Sequence, residues 1–96
     1  MLLGDLLSQV EQAGANGNAA AILDDVALIA RVAAMAGQIA TDPDDYVLAA
    51  VRRFEHSADD SDWVSLIGAA ARSDEPGKAC LRRMVEHALD IDEASV

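Results

Sequence analysis

A chain of 96 residues with 17 Asp and Glu against 7 Lys and Arg, net charge −10, has room for one domain. The charge excludes simple nucleic-acid binding and an anionic membrane surface, both of which need clustered cations; it favours solubility and permits a basic protein partner. The apolar fraction is 52%, but 20 of the 96 residues are Ala and there is one Trp, one Tyr and one Phe. The expected core is therefore thin, made of closely packed helices, and open to completion by a partner or a second copy.

Residues 2–13 are the first predicted helix, with Leu3, Leu6, Leu7 and Val10 at helical spacing. Gly14, Asn16, Gly17 and Asn18 then predict a flexible loop, with Asn18 able to cap the next helix. Residues 19–40 predict one long helix with a stripe of Ile22, Val26, Ile29, Ala33 and Ala36. Apolar on most of its circumference, it is expected at the centre of its bundle. Gly37 there marks either a close helix crossing or the approach of a helix end.

Thr41-Asp42-Pro43-Asp44-Asp45 is the clearest local signal. Asp42 suits the N-cap and Pro43 the first helical position, where its missing N–H costs nothing. Asp44 and Asp45 fall at the positive end of the helix dipole. The helix is expected to reach Ser57 and to bury Val47, Ala50, Val51 and Phe54. A second polar break, residues 58–62, precedes a helix over about 62–72 that buries Trp63, Leu66, Ile67 and Ala70. A third, residues 73–77, precedes a helix over about 76–90 that buries Ala79, Cys80, Met84, Ala88 and Leu89. Residues 92–96 read as an acidic, frayed tail. Strands are not expected, because the apolar spacing is helical nearly throughout and Ala is poor in strands.

Two stretches echo each other at an offset of thirty residues. Asp44-Asp45 followed by Ala49-Ala50-Val51-Arg52-Arg53-Phe54 matches Asp74-Glu75 followed by Ala79-Cys80-Leu81-Arg82-Arg83-Met84. Amphipathic helices with acidic starts and basic ends resemble one another by physics alone; a degenerate helical-hairpin repeat is the other explanation. Trp63, Leu66 and Ala79, with Ala88-Leu89-Asp90-Ile91-Asp92 as a closing segment displaced by two residues, resemble part of a tetratricopeptide unit over residues 63–92. Ile67 replaces that family's Gly, and no Pro follows Asp92. The resemblance implies a protein-binding helical hairpin without catalysis.

Groups able to carry chemistry are sparse. His56, His87 and Cys80 are too few and too widely spaced for a tetrahedral zinc site. The carboxylates at 42–45 and 59–62 lack the alternation, central Gly and closing Glu of a calcium loop, and capping explains them. Cys80 points inward and has no base beside it in sequence. Gly14 and Gly17 lie between helices, not after a strand, so they form no phosphate loop. Asp60-Ser61 faintly resembles a carrier-protein attachment site, with Asp62 where that family has Leu.

Arg52, Arg53, Arg82 and Arg83 are four of the seven basic residues. On paired helices they are the candidate partner-binding patch for a carboxylate-rich segment or a phosphate. Local pairing with Glu55 and Glu86 is the simpler explanation. A single cysteine excludes an internal disulfide. The start Met1-Leu2-Leu3-Gly4-Asp5 lacks a basic signal-peptide region, and Asp24, Asp25 and Arg31 interrupt the most apolar stretch, so a cytoplasmic location is expected.

Together these features predict an all-α fold: a small bundle of four to five antiparallel helices in one domain, with helical-hairpin repeat character. The predicted function is non-catalytic: a protein–protein interaction module of the adaptor, regulatory-subunit or inhibitor (immunity) type. The alternative is a carrier or accessory subunit of an enzyme complex. No cofactor, metal, nucleic acid or membrane is expected; a protein partner is, and a homodimer built from the apolar excess of residues 2–7 and 22–39 is the symmetric version.

Overall fold

The computed structural model describes Ser8, Gln12 and residues 20–95. It is all-α: a 3-10 turn, Ala20–Leu23, is followed by α1 (Val26–Gln38), α2 (Pro43–Ser57), α3 (Asp60–Ala71) and α4 (Pro76–Ser95), with no strand among the described residues. Ser8 and Gln12 are helical and exposed; the rest of the expected 2–13 helix and the 14–18 loop lie outside the described residues. No described helix is long and apolar enough to cross a membrane.

Capping sets three of the helix starts. The Asp42 carboxylate accepts the Asp44 N–H at 2.9 Å, with Pro43 in the first turn, as the sequence predicts. Asp59 accepts the Asp62 N–H at 2.9 Å while the Asp62 carboxylate accepts the Asp59 N–H at 3.2 Å. This reciprocal box satisfies two orphan donors and starts α3 at Asp60. Asp25 accepts the Leu28 N–H at 3.1 Å.

That third cap overturns the continuous 19–40 helix. Asp24 adopts a left-handed φ of 51°, a conformation that Asp and Asn tolerate better than most residues. The chain turns there between the 3-10 segment and α1. The Arg82 guanidinium fixes the turn from a distance, donating to the Leu23 carbonyl at 2.6 Å and the Asp24 carbonyl at 3.2 Å. Lys78 pairs with the Asp24 carboxylate. The break resets the helical phase, so the buried stripe is Leu28, Val32, Met35 and Ala36, with Leu23 from the 3-10 turn. Val26 is 86% exposed and Ala33 is exposed. Gly37 is the penultimate residue of α1 and has nothing within 4 Å of where a Cβ would sit. It marks the helix end, not a crossing.

The central helix is α4, which packs against α1, α2, α3 and the 3-10 turn. Cys80, Leu81, Met84, Val85, Ala88 and Leu89 line its buried side. Ala-rich α1, expected at the centre, packs on α2 and α4 and leaves its other side exposed. Of its larger side chains, Leu28, Val32 and Met35 all lie on the one buried side. Along α4 the polar contacts give the directions of its neighbours. Asp24, Leu23 and Arg31 meet residues 78, 82 and 90–93 in turn, so α1 runs alongside α4 in the same sense. Ser65 meets Arg83 and Asp62 faces His87, so α3 runs the opposite way.

α2 buries Tyr46, Val47, Ala50, Val51 and Phe54, the expected set plus Tyr46. α3 fully buries Leu66 alone; Trp63 and Ala70 are half-buried and Ile67 is exposed. Trp63 is half-buried, its ring edge-on to Phe54 of α2 at 4.9 Å between centroids, on a helix whose main packing is against α4.

Residues 92–95, expected to fray, are the last turn of α4. No Gly or Pro interrupts the chain after Gly77, and long-range pairs hold this turn. Arg53 donates to both Asp92 oxygens, at 2.9 and 3.2 Å, and the Tyr46 hydroxyl donates to the same carboxylate. Arg31 donates to Glu93 at 2.7 Å and to Asp90 at 3.2 Å.

Candidate interaction surface

Three of the four candidate arginines serve different joints of the fold. Arg53 holds Asp92 on α4, and Arg82 holds the Asp24 turn. Arg83 donates to Ser65 Oγ at 3.2 Å and lies 3.7 Å from Glu86. Arg52 is exposed and makes no ion pair among the described residues. Consecutive helical positions diverge by about 100°, so each Arg–Arg pair is split between two directions. The contacts that tie Arg53, Arg82 and Arg83 to other elements reach partners 18 to 59 residues away, beyond any local spacing rule, whereas the Arg83–Glu86 pair is the local one that the sequence suggests.

Electrostatics follow these contacts. The Arg53 guanidinium, helped by the Tyr46 hydroxyl and opposed by burial, holds the Asp92 carboxyl below its ordinary value. Burial, then the facing Asp92 carboxylate, pushes the Tyr46 phenol up. The Glu93 and Asp90 carboxylates hold the Arg31 guanidinium more firmly charged than usual, against burial. Ending the last helix near residue 90, as the sequence pattern suggests, hides this network.

The nucleophile and metal candidates do not converge. Cys80 is buried, and desolvation pushes its thiol pKa up, away from the reactive thiolate. His56 is exposed near the end of α2. His87 lies within α4, not at a helix end; its ring is edge-on to Phe54 at 5.3 Å and its Nδ1 is 3.9 Å from Asp62. No three His, Cys, Asp or Glu side chains among the described residues are placed to share a metal ion. Ser61 is exposed in the first turn of α3.

The more informative surface is apolar. Val64 is 69% exposed and Ile67 65%. With Asp60 and Ala71, also exposed, they fall at 60, 64, 67 and 71, a single stripe on the outer side of α3. α1 presents a second such face of Val26, Ala27, Ala30, Ala33, Ala34 and Gly37, exposed and uncharged. Single exposed apolar residues are ordinary, whereas contiguous helical stripes mark contact surfaces.

No family model, curated protein or solved structure matches the chain.

Proposed function

We propose that this chain is a non-catalytic protein–protein interaction module of the adaptor, regulatory-subunit or inhibitor type. The observation that carries the reading is the pair of exposed apolar faces, Val64–Ile67–Ala71 on α3 and Val26 to Gly37 on α1. Water-facing apolar stripes of this kind are stabilised when a partner covers them. The net charge of −10 disfavours polyanions and favours a protein. The resemblance of residues 63–92 to a tetratricopeptide unit points the same way. Under this reading the setting is the cytoplasm. Arg53, Arg82 and Arg83 act chiefly in holding the fold, which leaves Arg52 as the member of the candidate patch available at the surface.

The test is co-purification from the native host with cross-linking, using the native sequence, Val26→Asp and the Val64→Asp/Ile67→Asp double variant. The expected result is a stoichiometric protein partner, or a second copy, that one of the variants releases. Recovery of the native chain with neither would overturn the reading.

A further inference from the structure

We propose that the outer stripe of α3 is a two-fold interface with a second copy of this chain, the two α3 helices lying antiparallel. The proposal deepens the interaction reading by naming the face and its occupant.

α3 packs on α4 and, through Trp63, on Phe54 of α2, and the side bearing Val64 and Ile67 is open. Its charges are arranged for a copy of itself. Asp59 and Asp60 stand at one end, and Arg72 caps the other. The Arg72 guanidinium makes no ion pair among the described residues. It lies back over Gly68, with Nη1 3.2 Å from where a Cβ would be, beside the apolar stripe.

In an antiparallel pair, a register that sets Val64 against the second copy's Ile67 also sets Ala71 against its Asp60 and Arg72 against its Asp59. The apolar centre and both charged ends are then satisfied by one shift, twice over by symmetry, as an isologous contact requires. Opposed helix dipoles add to the match.

The outer face of α1 lacks such a code. Its flanking charges are already engaged, Asp24 with Lys78 and Arg31 with Asp90 and Glu93, and its side chains are mostly Ala, so nothing sets a register.

The interface is small. Twelve residues of α3 span about 18 Å, which places the dimer below about 1,200 Å² of buried surface, in the weak and reversible class.

Sedimentation equilibrium of the full chain, from micromolar to hundreds of micromolar in moderate salt, tests the proposal. The native chain is expected to show a reversible monomer–dimer equilibrium. Val64→Asp/Ile67→Asp should be monomeric with unchanged helical circular dichroism, since both sites face water. Arg72→Glu should weaken the dimer severalfold, and Asp59→Arg added to Arg72→Glu should restore it. A native monomer throughout, a dimer indifferent to the Val64 and Ile67 changes, or a charge swap that restores nothing would each overturn the proposal. A monomeric chain that still binds a different protein in the co-purification test removes the dimer and leaves the interaction reading standing; a chain that binds neither removes both.

Discussion

α2 and α3 begin alike and end up differently. Both start on an Asp N-cap with further Asp residues in the first turn. α2 gathers Tyr46, Val47, Ala50, Val51 and Phe54 on one side, all buried, and shows Arg52, Arg53, Glu55 and His56 to water. α3 divides its apolar residues between two sides, Trp63, Leu66 and Ala70 inward and Val64, Ile67 and Ala71 outward. Local chemistry starts a helix, and the distribution of apolar residues around it decides whether the chain alone can satisfy it. α2 is complete within the described fold; α3 has apolar surface to spare.

The largest expected effect is on the side that is complete. Phe54 is fully buried and its ring meets both Trp63 and His87, so Phe54→Ala should cost about 3–5 kcal/mol, much of a small domain's total stability. Denaturant titration checks the loss, and Trp63 emission should shift red in the native baseline as its ring partner goes. A loss under about 1 kcal/mol, the ordinary cost of a surface or cap change, would mean that the core does not centre on α2 and α4.

The shared feature comes next. Asp42→Ala and Asp59→Ala should each cost about 1 kcal/mol, read from the denaturant midpoint. Similar losses would confirm that the two helices differ in packing and not in how they start. A silent Asp59→Ala would mean that the reciprocal box of α3 contributes nothing.

Acid sharpens the contrast further, because α2 also holds the last turn of α4. Asp92 is held below the ordinary carboxyl value chiefly by Arg53. Its contribution is therefore complete above about pH 4, the unfolded value, and is lost as pH falls through the lowered native value. Asp92→Asn should be less stable than the native chain at neutral pH and should lose less on acidification. Urea midpoints at neutral and acid pH measure this. An unchanged acid limb would show that the Arg53–Asp92–Tyr46 contact is not maintained in solution.

The smallest expected effect is on the open side. Val64→Asp should change monomer stability by no more than about 0.5 kcal/mol, since Val64 is already in water. A loss near that of Phe54→Ala would show that the outer face of α3 is covered within the chain, and the comparison with α2 would fail.

Local features of the fold are legible in the sequence and long-range ones are not. Asp42-Pro43 announces α2 because a cap and a fixed φ act within four residues. Asp24-Asp25 carries the same kind of signal, but inside an apolar run that reads as continuous. The turn there depends on Arg82, 59 residues from Leu23, and a continuous helix places the side chains of α1 on the wrong side. Helical spacing alone puts Ile67 in the core, because it does not say which of two apolar stripes faces inward. As for the candidate surface, the Arg–Arg pairs are visible in the sequence, but the acidic partner of Arg53 lies in a tail that reads as frayed. The apolar excess is also visible and points to residues 2–7 and 22–39; the structure adds the outer stripe of α3.

The central position of α4 bears on how the chain is made. Synthesis runs from the N-terminus at about 5–20 residues per second, and the helix that every other described element packs against comes off the ribosome after all of them. Until residues 76–95 emerge, the apolar sides of α1, α2 and α3 that α4 covers lack that cover. Folding of this region therefore waits for its last helix, and a chain arrested before Pro76 would be a substrate for chaperones and proteases rather than a smaller version of the fold.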